Sequence, residues 1–77
     1  MNEVNTPKLI KIISKIIKIN EKKLNIKSKA DDFDSWDSMA QVSLMIEISK
    51  KYKVDIPPSI FASLDIIKKI IQYLKKR

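Results

Sequence analysis

Residues 34–58 read DSWDSMAQVSLMIEISKKYKVDIPP, and this stretch decides the fold. The segment contains no glycine and its first proline is Pro57, so a helix can run from Ser38 to about Tyr52. Apolar side chains recur there at helical spacing and predict one buried face, formed by Val42, Met45, Ile46, Ser49 and Tyr52 and widened by Met39, Leu44 and Ile48. Pro57 and Pro58 end the region because proline cannot continue the helical hydrogen-bond ladder.

A second helical pattern precedes this stretch, over residues 7–20. Thr6 followed by Pro7 is typical of a helix start, with the threonine as N-cap. Apolar and basic residues then separate onto two faces, with Leu9, Ile10, Ile12, Ile13, Ile16, Ile17 and Ile19 on one and Lys8, Lys11, Lys15, Lys18 and Lys22 on the other. We interpret these as a core face and a solvated face; a helix that binds a membrane surface or a nucleic acid is the alternative.

The remaining segments complete a small all-α chain. Residues 21–37 form a long predicted loop, of the kind that is often functional, with core anchors at Leu24, Ile26, Phe33 and Trp36. Residues 59–62 have room for one short helical turn. Asp65 is placed to cap a last helix, whose apolar face is Ile66, Ile67, Ile70, Ile71 and Leu74. We predict a single domain, residues 1–77, built as a bundle of three main helices plus one short helical turn.

The composition excludes several functions. The 77 residues include no cysteine and no histidine, so no thiolate nucleophile or imidazole base is present. We therefore predict a protein that is not an enzyme, with no catalytic residues and no metal site. No apolar run approaches the ~20 residues that a membrane span needs, and lysines interrupt the isoleucine stretches that a secretory signal would keep intact. These features predict a cytoplasmic protein without stable membrane insertion.

The net charge of +7 conceals an acidic segment between two basic ones. Residues 1–29 carry eight lysines against two glutamates, and residues 50–77 carry seven lysines and one arginine against two aspartates, so each has a net charge of +6. Residues 30–49 have no basic residue and a net charge of −5, from Asp31, Asp32, Asp34, Asp37 and Glu47. The basic ends would suit a nucleic-acid binder, but the central acids would repel nucleic acid, so we predict no such partner.

Ser38 lies where the acidic loop meets the predicted helix, and its hydroxyl has two interpretations. Ser38 and Gln41 fit a capping box, in which the two side chains satisfy each other's free backbone N–H groups. Alternatively, Ser38 accepts a phosphate ester, because free N–H groups and the helix dipole favour phosphate at a helix N-terminus. Asp37 is then placed to help a modifying enzyme position Mg²⁺. With no histidine in the chain to activate Ser38, another protein must form that ester.

The residues around Ser38 resemble the acyl carrier protein family. The family's Asp-Ser-Leu or Asp-Ser-Met motif is matched by Asp37-Ser38-Met39, and its aromatic residue and Ile-Pro pair follow at the same distance as Tyr52 and Ile56-Pro57. The resemblance covers about residues 30–75, whereas the first helix matches in layout only.

The resemblance implies an acyl-carrier-like fold and a 4′-phosphopantetheine cofactor on Ser38, within a motif that also includes Asp37 and Met39. A phosphopantetheinyl transferase would move this arm from coenzyme A to Ser38. Acyl-loading and acyl-transfer enzymes would then use the thiol of the arm to carry acyl groups as thioesters. The resemblance also implies an acyl pocket, lined by Val42, Ile46, Ile60 and Phe61, although all four are equally suited to an ordinary core. We expect the carrier to be a monomer.

Departures from the fatty-acid carriers indicate a specialised role. Those carriers resemble this chain but present an acidic second helix, whereas here only Glu47 is acidic on that helix. Trp36-Asp37-Ser38 is similar to carriers of surface-polysaccharide, aminoacyl or secondary-metabolite pathways. Trp36 is interpreted first as an anchor and alternatively as a partner contact. The predicted partner surface is therefore Asp31, Asp32, Asp34, Trp36 and Glu47.

The sequence leaves three alternatives to the acyl carrier hypothesis. One is an aminoacyl carrier of the D-alanyl or peptidyl type. The second is a basic helical protein that binds nucleic acid, and the third is a helical interaction module without a cofactor. The carrier hypothesis is the one that explains the motif at Asp37-Ser38-Met39 together with the acidic segment before it.

Overall fold

Three α-helices form a small bundle in the computed structural model, which describes residues 4–76. Helix α1 spans Thr6–Ile17, α2 spans Ser38–Tyr52 and α3 spans Ile67–Lys75. Short 3₁₀ helices connect them, at Glu21–Lys23, Ala30–Asp32 and Pro58–Ser63. Residues 4–76 contain no β-strand, only an isolated bridge between Lys29 and Ile66. The predicted all-α architecture is confirmed, and so are the bounds of α2.

Helix α1 begins and ends earlier than the sequence pattern predicts. Its N-cap is Asn5 rather than Thr6, because Asn5 Oδ1 accepts the backbone N–H of Lys8 at 3.0 Å. The helix ends at Ile17, since Lys18 has a left-handed backbone with φ of 60°. A residue other than glycine adopts this conformation at a cost of roughly 1–2 kcal/mol. The chain has no glycine, so a lysine closes the helix where glycine usually would.

The core is formed by apolar side chains from all three helices and from the loops between them. Its buried members are Leu9, Ile13, Ile17, Leu24, Trp36, Leu44, Met45, Ile48, Ile56, Leu64, Ile67, Ile70, Ile71 and Leu74. The predicted loop anchors Leu24 and Trp36 are among them, and Phe33 packs against the cluster while partly exposed. The lysines of α1 that the pattern assigns to solvent, such as Lys11 and Lys15, are exposed. No helix within residues 4–76 combines the length and apolarity needed to cross a membrane.

The start of α3 is held by backbone contacts with a distant loop. The N–H of Ile67 donates to the carbonyl of Ser28 at 3.0 Å, and the N–H of Lys68 donates to that of Ile26 at 2.8 Å. These carbonyls satisfy donors that a capping side chain would otherwise serve. The prediction that Asp65 caps this helix is therefore wrong. The side chain of Ile26 is 42% exposed, so its predicted role as a core anchor is also wrong.

The predicted buried face of α2 is confirmed in part, since Leu44, Met45 and Ile48 lie in the core as predicted. The buried residues are Gln41, Leu44, Met45 and Ile48, whereas Met39, Val42 and Ile46 are 81%, 44% and 45% exposed. The assignment of Val42 and Ile46 to the core is wrong, and so is that of Met39. Apolar residues lie on both sides of this helix, and a buried glutamine is acceptable only where its amide finds partners. Those partners exist in the fold and are described below.

Candidate functional site

The site begins at the N-terminus of α2, which Asp37 caps. Asp37 Oδ1 accepts the backbone N–H of Ala40 at 2.9 Å, and the backbone of Asp37 is extended, as an N-cap requires. The predicted capping box of Ser38 and Gln41 is therefore wrong. Ser38 is instead the first residue inside the helix.

This arrangement leaves the Ser38 side chain exposed and without a capping role. Its hydroxyl forms no hydrogen bond with any part of the chain that the structure describes, and neither does its backbone N–H or that of Met39. Free N–H groups at a helix start favour an anionic group. A phosphate ester on Ser38 Oγ would lie directly beside them. The geometry thus fits a phosphorylated prosthetic group at Ser38.

An open cavity of about 460 Å³ lies beside Ser38. Its walls come from the loop before α2, the N-terminal part of α2, the Pro58–Ser63 helix and Asp65, two residues before α3. The lining residues are Ala30, Asp31, Trp36, Asp37, Ser38, Gln41, Val42, Phe61, Ala62 and Asp65. A pocket of this size is within the range that accepts small molecules. A group attached to Ser38 therefore has a cavity of suitable size next to its point of attachment.

The structure brings some of the residues predicted for the acyl pocket together and separates others. Val42 and Phe61 both line the cavity at Ser38. Ile46 and Ile60 do not line it; Ile46 is 45% exposed and Ile60 packs, partly buried, against the core. Met39 is exposed outside the cavity.

Gln41 is the residue at this site that the sequence interpretation missed. Its side chain is 8% exposed and makes three hydrogen bonds. Oε1 accepts the indole N–H of Trp36 at 2.6 Å, while Nε2 donates to the carbonyls of Phe61 at 2.6 Å and Leu64 at 2.8 Å. A signal was present in the sequence, since Gln41 lies three, four and seven residues before the buried Leu44, Met45 and Ile48.

The residues predicted for the partner surface fall into three groups. Asp31, Asp32 and Asp34 are exposed on the loop before α2, where Asp32 Oδ2 also accepts the backbone N–H of Lys29 at 3.3 Å. Trp36 is 3% exposed and bonded to Gln41, which fits the anchor interpretation rather than a partner contact. Glu47 lines a second groove, between α1 and α2, together with Lys8, Lys11, Lys15 and Lys51.

Comparison with known proteins agrees with this geometry. No curated protein matches the sequence at a significant level. The family model of the phosphopantetheine attachment site matches residues 7–74, which is nearly the whole chain and includes every wall of the cavity at Ser38. Its members bind the cofactor that the resemblance to acyl carrier proteins implies. The chain therefore belongs to the phosphopantetheine attachment site family and is a carrier of 4′-phosphopantetheine.

Proposed function

We propose that this chain is an acyl carrier protein whose phosphopantetheine arm is attached to Ser38. The arm carries acyl groups as thioesters between partner enzymes of a specialised lipid, polysaccharide or secondary-metabolite pathway. The carrier works as one domain, as a monomer and in the cytoplasm. The observation that supports Ser38 above all is its exposed hydroxyl at the helix start, which capping by Asp37 leaves free.

The residues of the chain contribute position and charge, and the bound arm supplies the thiol on which acyl groups are carried. Ser38 Oγ would attack the pantetheine-side phosphorus of coenzyme A, the pyrophosphate P–O bond would break and adenosine 3′,5′-bisphosphate would leave. The Ser38 proton would pass to a base of the transferase, because the chain has no histidine. The backbone N–H groups of Ser38 and Met39, which have no partner within residues 4–76, would stabilise the charge of the phosphate ester. Asp37, beside Ser38, helps the transferase place Mg²⁺, which prefers oxygen ligands.

Partner enzymes would meet two neighbouring features of the surface around Ser38. The acidic segment, defined as Asp31, Asp32 and Asp34, is exposed before the helix. The apolar stripe, defined as Met39, Val42 and Ile46, is exposed on α2 just after Ser38. An exposed apolar stripe next to a modified residue is typical of a protein–protein contact, and the acids would attract a basic partner towards it.

Intact mass spectrometry tests the attachment site. Incubation of the apo protein with coenzyme A, Mg²⁺ and a broad-specificity phosphopantetheinyl transferase should add the mass of one phosphopantetheine group. Ser38→Ala should abolish the addition with a stability change of no more than about 0.5 kcal/mol, since Ser38 is exposed and is not the cap. Ser35→Ala, an exposed serine three residues earlier, is the matched control and should be modified normally. Modification of Ser38→Ala, or none of the wild type with several transferases, would refute the assignment.

A further inference from the structure

One wall of the cavity at Ser38 contains a hydrogen-bond network centred on Gln41. Its amide joins the loop, through Trp36, to the Pro58–Ser63 helix and the residue after it, through the carbonyls of Phe61 and Leu64. Gln41, Trp36 and Phe61 all line the cavity. The side-chain amide of Gln41 and the indole N–H of Trp36 are therefore already hydrogen-bonded within this network, and Gln41 lies on α2 between Ser38 and the buried Leu44.

The residues that follow Gln41 on the buried face of α2 are fully packed. Leu44 and Met45 are 0% exposed and neither lines the cavity. Helix α2 and the Pro58–Ser63 helix are in contact beside the cavity, so an alkyl chain that entered the core there would have to pass between them. That passage would separate the Gln41 amide from the carbonyls of Phe61 and Leu64. The Phe61 carbonyl would keep the N–H of Leu64, but the Gln41 amide and the Leu64 carbonyl would lose these partners in a buried position.

The other walls of the cavity are mixed in character, with apolar side chains from Ala30, Val42 and Ala62 beside acidic ones. Three carboxylates line it, those of Asp31, Asp37 and Asp65. Asp65 Oδ1 is buried and forms an ion pair with the ammonium group of Lys69, which lies 3.5 Å away. Covering the carboxylates of this wall with a long alkyl chain would cost desolvation energy.

On the basis of the proposed function, we infer that Gln41 determines cargo specificity and that the cargo is a short acyl group. Such a group lies in the cavity at Ser38 without entering the core. Gln41 acts by position: the two hydrogen bonds that its Nε2 donates hold the Pro58–Ser63 helix and Leu64 against α2, and a long alkyl chain stays exposed to solvent because it cannot displace them.

A series of acylated proteins tests this inference. Transfer from acetyl-, butyryl-, octanoyl- and dodecanoyl-coenzyme A by a broad-specificity transferase gives carriers that differ only in chain length. A chain that enters the core stabilises the folded state as a bound ligand does, and should raise the Tm by about 5 °C or more between acetyl and octanoyl forms. We expect the wild-type Tm values to agree within about 1 °C, and hydroxylamine to cleave the octanoyl and acetyl thioesters at equal rates.

The variant Gln41→Leu replaces the polar wall with an apolar one. Its acetyl form should melt below the wild type, since the Trp36 indole and the Leu64 carbonyl lose their partner and the Phe61 carbonyl keeps only the N–H of Leu64. Its Tm should nevertheless rise with chain length, and its octanoyl thioester should become resistant to hydroxylamine. Ser43→Leu adds the same side chain at an exposed position of α2 outside the cavity, and should behave like the wild type in both measurements.

The wild-type series alone can overturn the inference, whether or not Gln41→Leu folds. A wild-type Tm that rises with chain length, together with protection of the octanoyl thioester, would show that Gln41 does not exclude long chains. Equal chain-length dependence in the wild type and in a folded Gln41→Leu would show the same. Failure of Ser38 to accept any acyl-phosphopantetheine group is a different result, visible in the intact mass, and would refute the proposed function instead.

Discussion

Asp37 caps the helix that Ser38 begins: Asp37 Oδ1 accepts the N–H of Ala40 at 2.9 Å, and the Ser38 hydroxyl forms no hydrogen bond within residues 4–76. A serine is itself a good N-cap, and in that role its hydroxyl would be bound to the backbone of the helix. The position of Asp37 prevents this. Under the proposed function, capping and attachment of the arm therefore belong to two adjacent side chains.

This separation predicts different effects for two substitutions of Asp37. Asparagine is as good an N-cap as aspartate, so the free energy of unfolding of Asp37→Asn should lie within about 0.5 kcal/mol of that of the wild type. For Asp37→Ala it should be about 1 kcal/mol lower. Both remove the carboxylate proposed to help place Mg²⁺, and both should lower the rate of Ser38 modification by roughly tenfold or more. Urea unfolding and a timed mass assay measure the two effects. A normal modification rate for Asp37→Asn would limit the role of Asp37 to capping.

A second prediction concerns the two sides of α2. Leu44→Asp and Ile48→Asp place a carboxylate in the fully buried core and should destabilise the fold by more than about 3 kcal/mol. Val42→Asp and Ile46→Asp, at positions more than 40% exposed, should lose no more than roughly 1 kcal/mol. Thermal unfolding followed by circular dichroism compares the pairs. Similar losses in both would show that α2 is rotated from the orientation described.

The orientation of α2 shows what a sequence pattern can and cannot determine. The bounds of α2 follow from local signals, the Asp37-Ser38 start and the proline pair after Ile56. Its buried face depends on Gln41, whose partners at Phe61 and Leu64 are distant in sequence. Because apolar residues lie on both sides of the helix, the pattern assigned the exposed Val42 and Ile46 to the buried face together with Leu44, Met45 and Ile48.

The start of α3 and the cavity have the same long-range origin. Aspartate is a common N-cap, so the sequence favoured Asp65. In the fold, however, the carbonyls of Ser28 and Ile26 accept the first N–H groups of α3. A local sequence pattern cannot predict a backbone contact between segments that far apart. The assignment of the arm to Ser38, by contrast, is a prediction from a motif that is continuous in sequence. The walls of the cavity come from several segments, so only Val42 and Phe61 of the predicted acyl pocket lie in it.

A third prediction concerns Tyr52, whose hydroxyl is buried with no hydrogen-bond partner in the described part of the chain. Burial raises the pKa of Tyr52 above its ordinary value of 10.0, because desolvation disfavours the phenolate. The contribution of Tyr52 to stability is therefore complete below about pH 10 and is lost as the pH rises through the raised pKa. Tyr52→Phe should match the wild type at neutral pH or exceed it by up to about 1 kcal/mol, and its advantage should grow in alkaline solution.

The control for Tyr52 is Tyr73→Phe, because the Tyr73 hydroxyl donates to the carbonyl of Asp55 at 2.7 Å. Loss of that bond should cost about 1 kcal/mol at neutral pH. Urea unfolding between about pH 8 and 11 distinguishes the variants. An identical pH dependence for the wild type and Tyr52→Phe would show that the Tyr52 hydroxyl is hydrated in solution.

The last prediction concerns the acidic segment and the direction from which partners approach. Asp31, Asp32 and Asp34 lie exposed before Ser38, while Lys50 and Lys51 are exposed in the last turn of α2. A basic partner would be attracted to the Ser38 end of the helix and repelled from the other end. Exchanging the three aspartates for asparagine should slow association with the enzyme that loads the arm and flatten its dependence on salt, since exposed charges act through screened attraction. Asparagine at position 32 retains an acceptor for the Lys29 N–H, so the local fold should survive.

Loading rates measured against ionic strength separate this docking mode from one centred on α2. Lys50→Glu with Lys51→Glu is the comparison variant, because it changes charge at the far end of the helix and leaves the acidic segment intact. It should load about as fast as the wild type with the native enzyme, and faster with an enzyme that normally serves carriers with an acidic second helix. If the asparagine variant loads like the wild type at low salt while the lysine reversals abolish native loading, partners dock along α2. The acidic segment would then contribute nothing to recognition.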